Sequence, residues 1–269
     1  LNAAGKDLQA ATCLTDELLF SVSSEEIQVI DTANNCPLSD YDVVYFRYCA
    51  SDQAAAMAAA RFCTLKKIPF ADREAMQLGS RAKVNQYVNL YEIGAPFPAS
   101  LIGSARLLAD SYAGHGFAFP FILKASQGSR GQDNFLVKDE AQLDQIVREQ
   151  SDVIFVLQAY IPNDGDWRVL VMGGEVKMII GRTASSDSHL NNTSQGGQAE
   201  ALPLDVLPAE VLAQCVQAAQ FYGRDVAGVD VVRSTKDGQY YFFEVNRAPQ
   251  IEHASFEKEK AAHLGLQGA

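Results

Sequence analysis

Two apolar runs near the end of the chain, AGVDVV from Ala227 and YYFFEV from Tyr240, flank the polar segment RSTKDGQ. That pattern admits little other than an antiparallel β-hairpin. Asp230 lies inside the first run, and Glu244 and Asn246 lie at the end of the second. Side chains alternate along a strand, and directly opposed residues share a face, so Glu244 and Asn246 point the same way. A three-residue loop, with Lys236 and Asp237 in a type I turn and Gly238 left-handed, pairs Thr235 with Gln239 and sets Asp230 opposite Glu244. A two-residue Asp237-Gly238 turn instead shifts the register by one and sends Asp230 to the far face. The odd loop therefore predicts that all three side chains converge. Three hard oxygen donors on one face outline a magnesium site, because magnesium is usually held by one or two carboxylates plus nucleotide phosphates. Taken alone, Glu244 and Asn246 read more plainly as the solvent face of a strand, with Tyr241, Phe243 and Val245 packed beneath.

The chain has 269 residues, 48% of them apolar, enough for one large domain or two to three coupled subdomains with a proper core. Its formal charge of -11, from 33 acidic against 22 basic residues, excludes nonspecific binding to nucleic acid or anionic membranes, which needs a basic face. Cys13, Cys36, Cys49, Cys63 and Cys215 are odd in number and scattered, with no Cys-x-x-Cys pair. They fit buried thiols in a reducing compartment and exclude a disulfide scaffold or structural zinc. No apolar stretch approaches the length of a bilayer span, and the N-terminus lacks a basic start followed by an apolar segment, so a cytoplasmic protein is expected. Because the first residue is Leu1 rather than Met, an N-terminal portion is expected to be missing.

The first part alternates strand and helix: IQVIDT, YDVVYFRY, an alanine-rich helix from about 53 to 66, then IPFAD. This predicts a small α/β unit with parallel-sheet character over residues 1–79. Ser80 is a candidate N-cap for a helix through Ile93, ended by Gly94 and two prolines. PASLIG, a helix around 104–112, the strands FPFILKA and NFLV, and a helix over 139–150 form a compact lobe. From Asp152 onward β-structure dominates: VIFVLQAYI, WRVLVMG, a Gly173-Gly174 hairpin turn and VKMIIGRT. A helix opened by Pro208, the Asp230 hairpin and a C-terminal helix complete the reading.

Lys124 ends an apolar strand and precedes a Gly-rich turn with Ser126, Gly128, Ser129 and Gly131. Amide groups of such a turn form an anion-binding concavity, and a neighbouring lysine adds a point charge for the same oxygens. It is not a Walker loop, since the lysine comes before the glycines. A snorkelling strand-end lysine before an ordinary turn explains the same residues, and Lys83 alone reads as a solvated helix residue. Arg168 and Arg182 on consecutive strands can project into a cleft. Asp166 in PNDGD can accept from a sugar hydroxyl or serve plain turn chemistry. His115, His189, His253 and His263 lie far apart, and none pairs with a serine or cysteine nucleophile as a triad enzyme requires.

Taken in order, Lys83, FILKASQGSRG, FVLQAYI, GDWR, Arg182, NNTSQGG, AGVDVV and FFEVNRAP resemble the ATP-grasp superfamily, and most closely its RimK-like amino-acid ligases. The resemblance runs from about Asp42 to the C-terminal helix. It implies a mixed α/β and α+β architecture, an ATP-grasp fold behind a truncated N-terminal α/β domain (1–79). The grasp domain would span 80–269, with a lid lobe at about 113–158 and a C-terminal lobe at about 159–269. It further implies that Lys83 and Lys124 hold the nucleotide phosphates and that the loop with Ser126, Gly128, Ser129 and Gly131 closes over them. The backbone around Ala159 and Tyr160 would meet the adenine, Asp166 would serve the ribose, and Gln158 and Asn191 would bind the nucleotide. Arg168, Arg182 and Asn192 would lie toward the terminal phosphate and the reacting carboxylate. Asp230, Glu244 and Asn246 would hold magnesium, with manganese an admissible substitute.

The implied activity is ATP-dependent joining of an amino acid or peptide to a carboxylate acceptor through an acyl phosphate. The implied partners are these small-molecule or peptide substrates, with no nucleic acid and no membrane, and with room for a homo-oligomer. This sequence departs from the pattern at Ala159, where close relatives carry an acid, and at Leu190, where an arginine is expected. The loop SSDSHLNNTSQGG also lacks the basic residues of glutamate-adding relatives. A nucleotide-binding regulatory protein and a grasp-fold kinase are the competing readings.

Overall fold

The computed structural model describes residues 9–22, 27–47, 53–76, 83–126, 134–150, 153–183, 198–247 and 249. The N-terminal unit begins with an antiparallel sheet of β1 (Leu18–Val22), β2 (Ile27–Asp31) and β3 (Cys36–Pro37). β4 (Val44–Tyr45) and β5 (Phe70–Ala71) form a separate parallel pair, connected through α1 (Gln53–Lys66). Among the described residues, parallel pairing is confined to these two short strands. IQVID pairs antiparallel with Leu18–Val22, a strand that the sequence reading did not identify. Val29, Ala59, Phe62 and Cys63 close a small core between helix and strands.

Acidic side chains tie this unit to the rest of the chain. The Asp72 amide donates to Asp225 Oδ2 at 2.7 Å, and Asp72 Oδ1 accepts from the amides of Asp225 and Val226 at 2.7 and 3.2 Å. Glu74 receives Arg224 through two bonds of 2.7 and 2.8 Å, and Arg224 also donates to the carbonyl of Val245.

A second sheet has the order β6 (Ser100–Ser104), β9 (Ile154–Ala159), β7 (Phe121–Ala125), β8 (Asn134–Val137), all antiparallel. On one face α3 (Ala105–Ser111) and α4 (Glu140–Gln150) bury Leu108, Leu143 and Ile146 against Phe121, Leu123, Phe155 and Leu157. Ser104 caps α3 by accepting from the Leu107 amide. β6 and α3, which precede the limit of about 113 taken for the lid lobe, join its sheet and core.

The third sheet runs β12 (Gln198–Leu202), β11 (Glu175–Thr183), β10 (Asp166–Met172), β13 (Val226–Arg233), β14 (Tyr240–Asn246). Its residues Val169, Val171, Val229, Val231 and Phe242 pack under α5 (Ala209–Phe221) and α2 (Lys83–Glu92), making the largest core. Leu170, Met178 and Ile180 turn to the opposite face, which becomes polar toward Asp166, Arg168 and Asp230.

The hairpin of β13 and β14 forms, but not through the expected three-residue loop. Ser234 N donates to Gln239 O and Gly238 N to Ser234 O, so the loop holds four residues, Thr235–Gly238. Arg233 consequently pairs with Tyr240, a register that alone would set Asp230 against Phe243. A β-bulge between Asp230 and Val231 absorbs Phe243 as an extra residue and restores Asp230 opposite Glu244. The bulge also overturns the expected packing, because Phe242 is the fully buried ring while Tyr241 and Phe243 are only half-buried.

Candidate functional site

Strand register brings the polar residues of the third sheet together. Arg168 lies directly opposite Asp230, and Asp166 directly opposite Arg182. Arg168 donates through Nε and Nη2 to both Asp230 oxygens at 2.7 Å. Arg182 donates in the same forked way to Asp166 at 2.6 and 2.7 Å, and its Nη2 also lies 3.1 Å from Asp230 Oδ2. Asn246 Nδ2 completes the ring around Asp230 at 3.2 Å, leaving the amide oxygen free of Asp230. Asp166, expected at a ribose, is therefore held in a network of two carboxylates and two guanidinium groups.

Gly228 eases this packing. A Cβ there would lie 3.0 Å from Pro249 Cβ and 3.3 Å from Arg168 Cδ, tight contacts that a bare backbone avoids where the arginine stem lies over the strand. This explains the glycine two residues before Asp230 in AGVDVV.

Burial works against the Asp230 carboxylate, yet Arg168 and Arg182 outweigh it and hold its pKa below the ordinary value. For both arginines burial disfavours the charge, but Asp230 beside them overrides it and raises their pKa values. The cluster is not uniform, since burial raises the Asp166 pKa to about 6 against the pull of Arg182. Its cost of desolvation is met by forked, charge-assisted hydrogen bonds.

The two lysines come from the other sheet and from α2. Lys124 on β7 donates to Gln158 Oε1 at 2.9 Å, and its ammonium lies 5.5 Å from the Tyr87 ring and 5.9 Å from the Phe243 ring. Lys83, the first residue of α2, donates to the Ala125 carbonyl at 2.9 Å. Burial lowers its pKa, Glu244 opposes that shift and Lys124 reinforces it. Lys83 therefore sits within electrostatic reach of both Glu244 and Lys124.

The remaining expected residues divide into two groups. Ser126 is buried, its amide bonded to the Ile154 carbonyl, and Ala159 gives its amide to the Ala99 carbonyl at 2.9 Å, with Tyr160 exposed beside it. Gly128, Ser129, Gly131, Leu190, Asn191 and Asn192 lie outside the described residues. Sequence reasoning missed Tyr87 and Phe243. Tyr87 was accessible in principle, being four residues after Lys83 and so on its face of the helix. Phe243 was not, because its position depends on the bulge.

Among the described residues no three or more His, Cys, Asp or Glu side chains gather as a metal cluster. A cation here would rest on the Asp230 and Glu244 carboxylates, the Asn246 amide and the oxygens of its own ligand, a donor set that suits magnesium with a polyphosphate. The Lys83 ammonium, within electrostatic reach of Glu244 and Lys124, suits the same anion. No described helix is long and apolar enough to cross a membrane.

Comparison with known proteins identifies the family and the fold. Residues 81–264 match the model of the RimK-like ATP-grasp domain. A probable alpha-L-glutamate ligase of Histophilus somni (strain 129Pt) is 30% identical over 255 residues, covering 93% of this chain and 80% of that protein. A protein of the same description from Haemophilus influenzae is 27% identical over 219 residues, covering 80% and 70%. Among solved structures, a D-alanine--D-alanine ligase from Bacillus anthracis complexed with ATP superimposes with a TM-score of 0.61 at 20% identity, covering 84% of this chain and 75% of that one. The ATP-grasp ligase PsnB, complexed with its minimal precursor, Mg and ADP, gives 0.59 at 18% identity over 93% and 85%. The fold is thus that of an ATP-grasp enzyme, and the chain belongs to the RimK-like ATP-grasp family.

Proposed function

We propose that this chain is an ATP-dependent carboxylate-amine ligase that joins an amino acid or peptide to a carboxylate acceptor, with magnesium as its cation. The observation that carries the reading is the opposition of Asp230 and Glu244, with Glu244 within electrostatic reach of Lys83. A carboxylate is a poor electrophile at neutral pH. Transfer of the γ-phosphoryl group to it creates an acyl phosphate, which an amine attacks to form the amide and release phosphate. Lys83 and Lys124 hold the phosphates, and the Ala159–Tyr160 segment meets the base. Asp230, Glu244 and Asn246 would hold magnesium, which supplies Lewis-acid and templating chemistry to the phosphates.

Arg168 and Arg182 offset the negative charge that accumulates where phosphate and carboxylate meet. Their prior pairing with Asp230 fixes the guanidinium planes before substrate arrives, which lowers the reorganisation needed in the reaction. The small-molecule or peptide nature of both substrates follows from the activities of the relatives. A cytoplasmic setting fits the need for ATP and the absence of a disulfide at Cys36, Cys63 and Cys215 among the described residues.

The test is incubation with ATP and magnesium across a panel of amino acids, peptides and carboxylate acceptors, reading ADP, free phosphate and amide product by mass spectrometry. Equal yields of ADP, phosphate and amide support the ligase. A phosphorylated product without free phosphate would convert the reading to a kinase. No release under any condition would leave nucleotide sensing.

A further inference from the structure

Gln158 is one of the most deeply buried polar side chains, 2% exposed on the central strand β9, yet it touches the candidate phosphate-binding lysine. Its three hydrogen bonds fix its orientation without ambiguity. Nε2 donates to Tyr87 Oη at 3.1 Å and to Ser100 Oγ at 3.0 Å, and Oε1 accepts from Lys124 Nζ at 2.9 Å. An ammonium only donates, whereas both hydroxyl oxygens can accept, so the flipped amide would set donor against donor at Lys124.

We propose that Gln158 is a positioning residue for nucleotide binding, an uncharged anchor that aims the Lys124 ammonium at the phosphates while leaving its positive charge intact. The proposal rests on the reading of Lys124 as a phosphate ligand. A glutamate at this position would reach the same nitrogen but would pair with it, and a neutralised lysine has little left to offer an anion. The amide supplies the directional hydrogen bond alone. Register makes the arrangement stiff: Gln158 pairs with Ser100 on one side and Ile122 on the other, and Lys124 lies diagonally across from it. Tyr87 extends the anchor to α2, the helix that begins with Lys83, while Lys83 itself is fixed to the Ala125 carbonyl next to Lys124. The two ammonium groups are thereby referenced to one strand.

The experiment is equilibrium binding of adenosine, ADP and ATP to the full chain by calorimetry, for wild type, Gln158→Glu, Gln158→Met, Lys124→Met and the two double variants. Gln158→Glu is expected to weaken ATP roughly tenfold or more, ADP less and adenosine not at all, because the lost quantity is a charge facing phosphate. Gln158→Met, which keeps the charge but removes the acceptor, is expected to weaken ATP by a smaller factor, again with adenosine unchanged. In the Lys124→Met background both changes should alter ATP affinity less than about twofold, since coupled residues lose their effect when the partner is gone.

Equal losses for adenosine and ATP, or an undiminished effect without Lys124, overturn the proposal and leave Gln158 a fold residue. ATP affinity unchanged in Lys124→Met alone overturns the phosphate role of Lys124 and the proposal with it, a result separable from failure at Gln158. Thermal melting identifies any variant that does not fold, and if Gln158→Glu is one, the Gln158→Met cycle decides.

Discussion

Asp230 and Glu244 face each other across β13 and β14 with Phe243 as an extra, bulged residue beside the pair. The pairing places two carboxylates on adjacent strands, with Asn246 opposite Gly228 two residues farther along. Glu244 is the exposed member and Asp230 the buried one, already ringed by Arg168, Arg182 and Asn246. Removing Glu244 therefore takes away the donor most open to a cation while leaving the forked bonds from Arg168 to Asp230 in place, although Glu244 also helps hold the Arg168 charge. Glu244→Ala should reduce metal-dependent turnover on the order of a hundredfold or more, and weaken manganese binding measured by electron paramagnetic resonance in the presence of ADP. Retained ADP release at the wild-type rate would remove Glu244 from the metal site.

The bulge gives Phe243 a position that a regular strand would deny it, with its ring 5.9 Å from the Lys124 ammonium. An aromatic face near a cation that also faces a phosphate excludes water and attracts the charge, worth about 0.5–1 kcal/mol at a partly exposed site. Phe243→Ala should weaken ATP by roughly two- to fivefold, the equivalent of that energy, with little change in the urea midpoint, because Phe242 rather than Phe243 fills the core. A stability loss typical of a core phenylalanine, without an effect on ATP, would contradict this placement.

How the hairpin was legible in the sequence, and how it was not, has a physical cause. A three-residue loop without a bulge and a four-residue loop with one residue bulged on β14 give the same pairing of Asp230 with Glu244. Parity therefore found the convergence while misplacing the loop and the inward rings. Helices were easier: the alanine-rich stretch forms α1 over Gln53–Lys66, and Pro208 sits at the N-cap of α5. Apolar periodicity and caps are local signals. The Gln158 anchor was not local, since Tyr87, Ser100 and Lys124 come from three other elements and meet only after the sheet has formed. Short strands such as Leu18–Val22 carried too little alternation to be separated from loop.

Arg182 serves Asp166 and Asp230 together while only 5% exposed, so its removal would strand Asp166 and leave Asp230 to Arg168 and Asn246. Arg182→Met should destabilise the protein by about 3–5 kcal/mol, the usual cost of breaking a buried pair from one side. Asp166→Leu in the same chain should recover part of that loss, because the stranded carboxylate disappears. Urea denaturation of the single and double variants measures both. If the two effects simply add, the forked pair contributes nothing as a pair.

Asp72 offers a stability switch between the N-terminal unit and the turn before β13. Burial first, then the charges of Asp225 and Glu74, raise its pKa from 3.8 to about 6, although the amides of Val226 and Asp225 pull the other way. A carboxyl whose folded pKa lies above its unfolded value contributes stability that is fully present below the unfolded value, here near pH 3.8, and is lost as pH rises through about 6. Asn at this position keeps an acceptor for the two amides, removes the charge and tolerates the left-handed backbone at φ +60°. Asp72→Asn should therefore match wild type near pH 4 and become more stable by roughly 1–2 kcal/mol at pH 7 to 8, a discounted value since the group is partly screened by solvent. Urea midpoints taken every half unit of pH follow the difference. A gap that closes rather than opens between pH 4 and 6 would mean that the ionised Asp72 stabilises the junction.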